Sequence, residues 1–514
     1  MGTARDVITV GGGHVAIPSP RVSLDWSSEQ PADRRGLPAV TSTAGRRDAD
    51  RSSAFWRGCL VVAGTLATLL PISLILGVDL AVAAAVPLGV LLLGRAVRSP
   101  RWAVLTFVLV IPVGLSEALA LGPVDLVQVL AAGVVLLVAW QRMLAGQAPL
   151  RWHPSAGWAV ALAVMAVISS VTALDVMLGV RQTAALVVAV ALALAVNAAC
   201  AGGPDLRHVV LVLATVGAGV CLYSLTQSGD IEAVADNAGA VENRAVGIFS
   251  SPNELGNFSG MLMMVGIGLA VGARTRRERI MGGACAVTAA AALTVSLSRG
   301  AWIGAVLAVA LLALLSVRAR HALAVVLGIV VVVTPLAMPR MAPELWDVVR
   351  ERAVSVAEPE ANPDDARPLI YAEARRQIMQ KPLTGQGPGN YPVASQTAES
   401  IAPVNVLHAH NVILAVAAET GLPGAAALSG LTLSVAWRVL QVRSRLPVRD
   451  ADLMLGLSLS LVVMVGQGLV DFVFRNPTLL FLVWVLLGLV FAATRPQTQP
   501  DAPARSAVPQ PSAR

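Results

Sequence analysis

The chain is poor in charge. Only 13% of its 514 residues are Asp, Glu, Lys or Arg, about half of the roughly 25% usual in soluble domains. That shortage excludes a soluble globular enzyme. Lysine is all but missing, Lys381 being the only one among 38 basic residues, so an arginine at any single site first reflects a composition-wide preference. The four cysteines, Cys59, Cys200, Cys221 and Cys285, all fall in apolar stretches without C-x-x-C spacing. This excludes a disulfide framework and leaves them as small packing residues. Residues 1–55 lack the basic-then-apolar order of a cleaved leader.

What the chain has in excess is apolar residues, 56% of the total or about 288 side chains. They come in blocks of membrane-spanning length, and at roughly 20 residues per span they suffice for about fourteen. The blocks run from Cys59–Val78 through Leu178–Cys200, Val209–Gln227, Leu255–Ala273, Ile280–Ser298 and Ala301–Val317 to Leu479–Ala493. The expected fold is therefore all-α, a polytopic bundle of about 12–14 transmembrane helices. Its expected organisation is a flexible cytoplasmic tail over 1–55, helices one to eleven over 56–338, an extracytoplasmic loop over 339–411, the last three helices over 412–493, and a Pro-rich cytoplasmic tail over 494–514.

Arginine sets the register. With the amino terminus inside, alternate loops carry Arg95, Arg98 and Arg101; Arg142 and Arg151; Arg207; Arg274, Arg276, Arg277 and Arg279; Arg318 and Arg320; Arg438, Arg443, Arg445 and Arg449; and Arg495. The opposite short loops carry almost none, which is the positive-inside pattern. The net charge of +7 is thus a matter of topology, and nucleic acid is not an expected partner. Arg181, Arg244, Arg299 and Arg475 break the pattern. They stand at or near the outer ends of spans, where no insertion rule puts them, and are candidates for binding an anion there; the alternative is snorkelling or local pairing with Asp175, Glu242 or Asp471. The mid-membrane stretches are nearly free of charge, which weighs against an ion-coupled transporter.

The loop over 339–411 is long enough to be functional. Leu345, Trp346, Val349, Ala353 and Val356 predict one amphipathic helix. A second, capped by Asp364 or Asp365, has Leu369, Ile370, Ala374 and Ile378 as its apolar stripe. Then comes Gly385-Gln-Gly387-Pro-Gly-Asn-Tyr391, whose alternating glycines permit positive φ and a nest for an oxyanion, though the spacing is neither a Walker loop nor a dinucleotide fingerprint. At the re-entry into the membrane stands His408-Ala-His410-Asn411. Two of the chain's six histidines are here. As metal ligands they lack a third partner of obvious spacing, so no metal is expected; as a base, imidazole suits proton transfer near neutrality.

Taken in order, four motifs resemble the O-antigen ligase and O-antigen polymerase superfamily: Arg244-Ala-Val-Gly-Ile-Phe-Ser-Ser-Pro-Asn253; Ser298-Arg299-Gly300-Ala-Trp302; the Gly385–Tyr391 turn; and His410-Asn411 followed by Glu419-Thr-Gly421-Leu-Pro-Gly424. The resemblance spans roughly Leu178 to Ala493. It implies a metal-independent, inverting glycosyltransferase of the polytopic GT-C class, without cofactor. Such an enzyme moves a glycan from undecaprenyl diphosphate to a hydroxyl of an acceptor glycan, lipid or protein. It acts at the outer face of the plasma (inner) membrane, with both termini cytoplasmic. By position, His410 carries over as the base, Arg244 and Arg299 as diphosphate ligands, and Arg181 and Arg475 with less support; Asn253, Gly387, Asn411 and Glu419 fall in the matching motifs. His408 remains a second candidate for the base, and ligase and polymerase are not separated. A solute or anion transporter using the same arginines, or a scaffold of envelope assembly, are the competing classes.

Overall fold

The computed structural model describes residues 91–111, 120–121, 124–200, 203–226, 233–235, 241–243, 245–321, 323, 350, 367–397, 400–401, 406, 408–472, 474 and 476–495. The apolar block Cys59–Val78, the helix expected around Leu345–Val356, and both expected tails apart from Thr494 and Arg495 lie outside them. The described elements are helical: α1 Pro100–Val110, α2 Leu126–Leu144, α3 Ala156–Val171, α4 Val176–Ala199, α5 Gly203–Thr226, α6 Pro252–Val271, α7 Arg276–Val295, α8 Arg299–Leu315, α9 Arg367–Gln380, α10 Tyr391–Ala394, α11 Val412–Arg443, α12 Val448–Gly468 and α13 Pro477–Ala493. Two minimal antiparallel ribbons interrupt them, β1 Ala120–Leu121 with β2 Val124–Asp125, and β3 Ala233–Ala235 with β4 Val241–Asn243.

Six of these helices, α2, α4, α5, α6, α7 and α11, are long and apolar enough to cross a bilayer, and α1, α3, α8 and α13 are shorter apolar helices. The bundle turns apolar side chains outward that a water-soluble protein would bury: Val287 and Val306 are 70% exposed and Leu433 is 69% exposed. With no water to satisfy backbone groups in hydrocarbon, helices that close their own hydrogen bonds are the available solution. The chain is a multi-pass, all-α membrane protein.

Packing follows membrane rules, in which close van der Waals approach replaces the hydrophobic effect. α6 lies at the centre, packed on α7 and α12. Gly268 of α6 and Gly456 of α12 face each other so closely that a Cβ on either would fall 2.6 or 2.4 Å from the other's Cα, so glycine sets this crossing. Cys200, Cys221 and Cys285 are free and buried, as packing residues should be.

The arginine-bearing loops gather at one end of the bundle, joined by ion pairs and hydrogen bonds. Buried Arg207 at the start of α5 pairs with Glu278 of α7 at 3.0 Å and Asp450 of α12 at 2.7 Å, and Arg274 holds the other oxygen of Asp450 at 2.6 Å. Arg101 pairs with Asp205 at 2.8 Å, Arg495 donates to Asn197, and Arg443 donates to the carbonyl of Leu315. This clasp fixes the up-and-down order that the arginines predict: α6, α8, α11 and α13 begin at the opposite end, where the histidines lie.

α9 forms where the second amphipathic helix is expected, with its stripe rotated. Ile370 and Ala374 are buried together with Glu373 and Gln377, while Leu369 is 52% exposed. The cause is polar: Glu373 accepts from Arg376 at 2.6 and 2.8 Å and from Gln377 at 2.8 Å. Gln377 also donates to the carbonyl of Tyr391 and to Ser395. The inward face is thus a hydrogen-bonded polar network, which an apolar pattern does not register.

Candidate active site

The end opposite the arginine clasp is built from the re-entry into α11. Asn411 is its N-cap, its Oδ1 accepting from the backbone N–H groups of Ile413 and Leu414 at 3.0 Å each, as a capping Asn should. Its Nδ2 donates to the carbonyl of Leu469 at 2.9 Å, tying the re-entry to the end of α12. Just before it, His410 adopts φ 47°, a left-handed conformation that costs a side-chain-bearing residue about 1–2 kcal/mol. Strain of this kind collects at functional sites. Ala409 is fully buried, and the two imidazoles on either side of it come together with ring centroids 4.2 Å apart.

Both rings converge on Asp471, in the segment between α12 and α13. Asp471 Oδ1 accepts from His410 Nδ1 at 3.1 Å, from His408 Nε2 at 3.3 Å and from the backbone N–H of Phe472 at 2.7 Å. Oδ2 accepts from Asn253 Nδ2 at 2.7 Å. Burial alone would push this carboxyl up, but the hydrogen bonds from the two histidines outweigh it and hold Asp471 well below the usual carboxylate range. An ionised carboxylate only accepts, so the nitrogens facing it are the donors. His410 then carries its proton on Nδ1 and presents Nε2 as a lone pair. His408 has spent Nε2 on Asp471, and its Nδ1 is buried from solvent.

Asn253 reaches Asp471 because Ser251 caps α6 and Pro252 starts it; Gln467 of α12 donates to the Asn253 carbonyl at 2.7 Å. Arg299 begins α8, half-buried, and Gly300 beside it packs on Val470 and Gln467, so Arg299 stands at this same end of the bundle. Arg181 lies on α4 and is exposed. The alternative of a pair with Asp175 is not realised, since Asp175 caps α4 through Leu178. Arg244 and Arg475 fall outside the described residues; their neighbours Ala245, bonded to the carbonyl of Val295, and Asn476, bonded to Glu254 at 3.0 Å, belong to this same end.

The glycine-rich turn has the expected backbone, with φ of 70°, 109° and 72° at Gly385, Gly387 and Gly389. Its acceptor comes from the chain itself. The carboxylate of Glu419 takes the backbone N–H groups of Gly389 and Tyr391, while those of Gln386 and Gly387 go to the carbonyls of Ala418 and Glu419 at 2.8 and 3.0 Å. The turn is docked where α11 breaks at Gly421, whose φ is 76° and whose missing Cβ leaves room for the carbonyl of Leu383.

Beside the histidines opens an apolar cavity of about 760 Å³. His408, Phe472, Phe474 and Pro388 line it at this end. It continues past Val416, Leu428 and Leu431 to Leu315, Val439 and Leu440 near the arginine clasp, and so runs along most of the bundle.

Residues 284–429 match the family model described as O-antigen ligase. That stretch is similar to O-antigen ligases. The match joins the multi-pass helices to a stretch similar to O-antigen ligases. The matched residues contain Arg299, the glycine-rich turn, both histidines and Glu419. Asn253 and Asp471 lie outside them and are brought to them by α6 and α12. No curated protein matches the chain. Sequence reasoning treated Asp471 only as a local partner for an arginine. The available signal was an acidic residue closing an apolar block, but nothing in spacing links it to a histidine 61 positions earlier.

Proposed function

We propose that the protein transfers a glycan from undecaprenyl diphosphate to an acceptor hydroxyl at the outer face of the plasma membrane, with His410 as general base. The observation that carries this reading is the His410–Asp471 pair beside a long apolar cavity. Asp471 orients the ring and stabilises the imidazolium that forms, the role the carboxylate plays in a Ser-His-Asp triad. The acceptor hydroxyl gives its proton to Nε2 as its oxygen bonds to the anomeric carbon. The sugar–phosphate bond breaks on the opposite face, and its electron pair leaves with the diphosphate.

Arg299, together with Arg244, Arg181 and Arg475, is suited to hold that diphosphate, since guanidinium matches phosphate oxygens bidentately. The aliphatic cavity suits a prenyl chain and offers a hydrated anion few ligands, which favours transfer over transport. By the positive-inside rule the arginine clasp supports a cytosolic orientation for its own end of the bundle, and with it the reading of the His408–His410 end as the outer one. The test is glycan transfer in membranes supplied with undecaprenyl-diphosphate glycan. His410→Ala should lower the rate by roughly 10²–10⁴, the share a general base supplies, and full activity in that variant would refute the mechanism.

A further inference from the structure

The same three side chains have a second use. We propose that His408 Nε2, His410 Nδ1 and Asp471 Oδ1 form a site for a borderline divalent transition-metal cation such as Zn2+, and that this ion switches the transferase off.

The geometry argues for it. The three atoms lie within 4.8 Å of one another, and the two nitrogens stand 3.3 and 3.1 Å from the shared oxygen. Zinc bonds to nitrogen and oxygen are about 2.0–2.2 Å, so the edge between two ligands of a tetrahedron is about 3.3 Å by the same bond lengths. Two of the three edges are already at that length. The donor set, two imidazoles and one carboxylate, selects Zn2+ or a neighbour over Mg2+ and Ca2+, which prefer all-oxygen ligands.

The surroundings are those of a built site. Asn253 steadies the outer carboxylate oxygen at 2.7 Å, the kind of support that raises metal affinity roughly 10–100-fold. The Asn411 cap and the left-handed turn at His410 fix the ring directions. The imidazoles are 16% and 19% exposed, which leaves an approach and a fourth position for water. The sequence hides the third ligand because it lies on a different helix pair.

Why the ion inhibits follows from the tautomer, and this half rests on the reading of His410 as base. Without metal, His410 holds its proton on Nδ1 and offers Nε2 to the acceptor. A metal ion takes the Nδ1 lone pair, so the one proton of the neutral ring must sit on Nε2. That nitrogen is then a donor and cannot accept a proton.

The experiment uses the untagged full chain in detergent, stripped with EDTA. Titration with Co2+, whose tetrahedral complexes absorb strongly in the visible, followed by displacement with Zn2+, should give one ion per chain. His408→Ala and Asp471→Asn should each weaken uptake at least tenfold. Wild-type protein that takes up no Co2+ or Zn2+ at micromolar free concentration would overturn the site, and that result needs no variant to fold. Uptake that both variants leave unchanged would do the same. In wild-type membranes Zn2+ should stop glycan transfer, EDTA should restore it, and Mg2+ should do neither. Transfer indifferent to Zn2+ in a protein that binds it, or transfer abolished by EDTA, would overturn the switch. A chain that binds Zn2+ but shows no transfer even when metal-free would count against the proposed function, while the binding titration still decides the site.

Discussion

Replacing Asp471 by Asn keeps the shape and removes the charge, and the consequences can be counted donor by donor. The carboxylate accepts from four groups: His408, His410, the Phe472 N–H and Asn253. The amide has one accepting oxygen. If that oxygen stays with the histidines, its NH2 confronts Asn253 Nδ2, donor against donor; if it turns to Asn253, the NH2 confronts both imidazoles. A buried polar group left without a partner costs about 1–3 kcal/mol. In the second arrangement His410 must move its proton to Nε2, the nitrogen that has to accept from the acceptor hydroxyl. The expected outcome is a kcat lower by roughly 10²–10⁴, with KM for the lipid-linked donor changed little because Asp471 does not touch it. The assay is steady-state transfer with donor and acceptor varied separately, beside thermal unfolding to show that the variant is folded. The decisive comparison is the double variant. If Asp471 acts through His410, then His410→Ala with Asp471→Asn is no slower than His410→Ala alone, since residues acting as one unit are not additive. Multiplicative losses, or a wild-type kcat in Asp471→Asn, would refute the dyad.

Two further outcomes concern stability. Gly421→Ala puts a Cβ against the carbonyl oxygen of Leu383 at φ 76° and ψ 172°, a backbone region that is essentially glycine's alone and costs other residues about 1–3 kcal/mol, so it should cost more stability than that and lower the melting temperature; a melting curve like wild type would contradict the docking of the glycine-rich turn at the α11 break. His153, before α3, is buried, stacked on Phe491 at 4.2 Å and bonded to Thr494 at 3.2 Å. Burial first, then Arg438 and Arg495, push its pKa down to about 4 from 6.5. The unfolded chain therefore binds the proton more readily, so this stabilisation is present above pH 6.5 and is lost as pH falls from there toward 4, about 3 kcal/mol in all at 1.36 kcal/mol per unit. Thermal melts of wild type between pH 7 and 5 should show this loss, and a His153→Phe protein should lack most of it. Equal pH sensitivity in both would rule out His153 as the source.

Much of the architecture was readable because bilayers write it in plain terms. Apolar blocks gave α4 to α8 within a few residues, and alternate arginines gave a register that Arg207, Glu278, Arg274 and Asp450 now hold together. The site was legible in part. His410, Asn411, Asn253 and Arg299 stood out as polar residues where chains enter the membrane; His410 and Asn253 meet on Asp471, Asn411 caps α11 beside them, and Arg299 starts α8 at the same end. Asp471 did not stand out, because its meaning depends on which helices are neighbours. The glycine-rich turn was readable as a nest for an anion, but its occupant was not, since a carboxylate from Glu419 satisfies the same N–H groups that a phosphate would. The stripe of α9 misled for a related reason: Glu373 and Gln377 are buried because they satisfy each other.

Glu419 also bears on how molecules come and go. By plugging the turn with its own carboxylate, the chain rivets the segment carrying α9 and α10 to the break in α11. That segment cannot swing as a hinged cover without breaking the bonds from the Gly389 and Tyr391 amides to Glu419. The cavity beside His408 is therefore not one that opens by lifting this segment away.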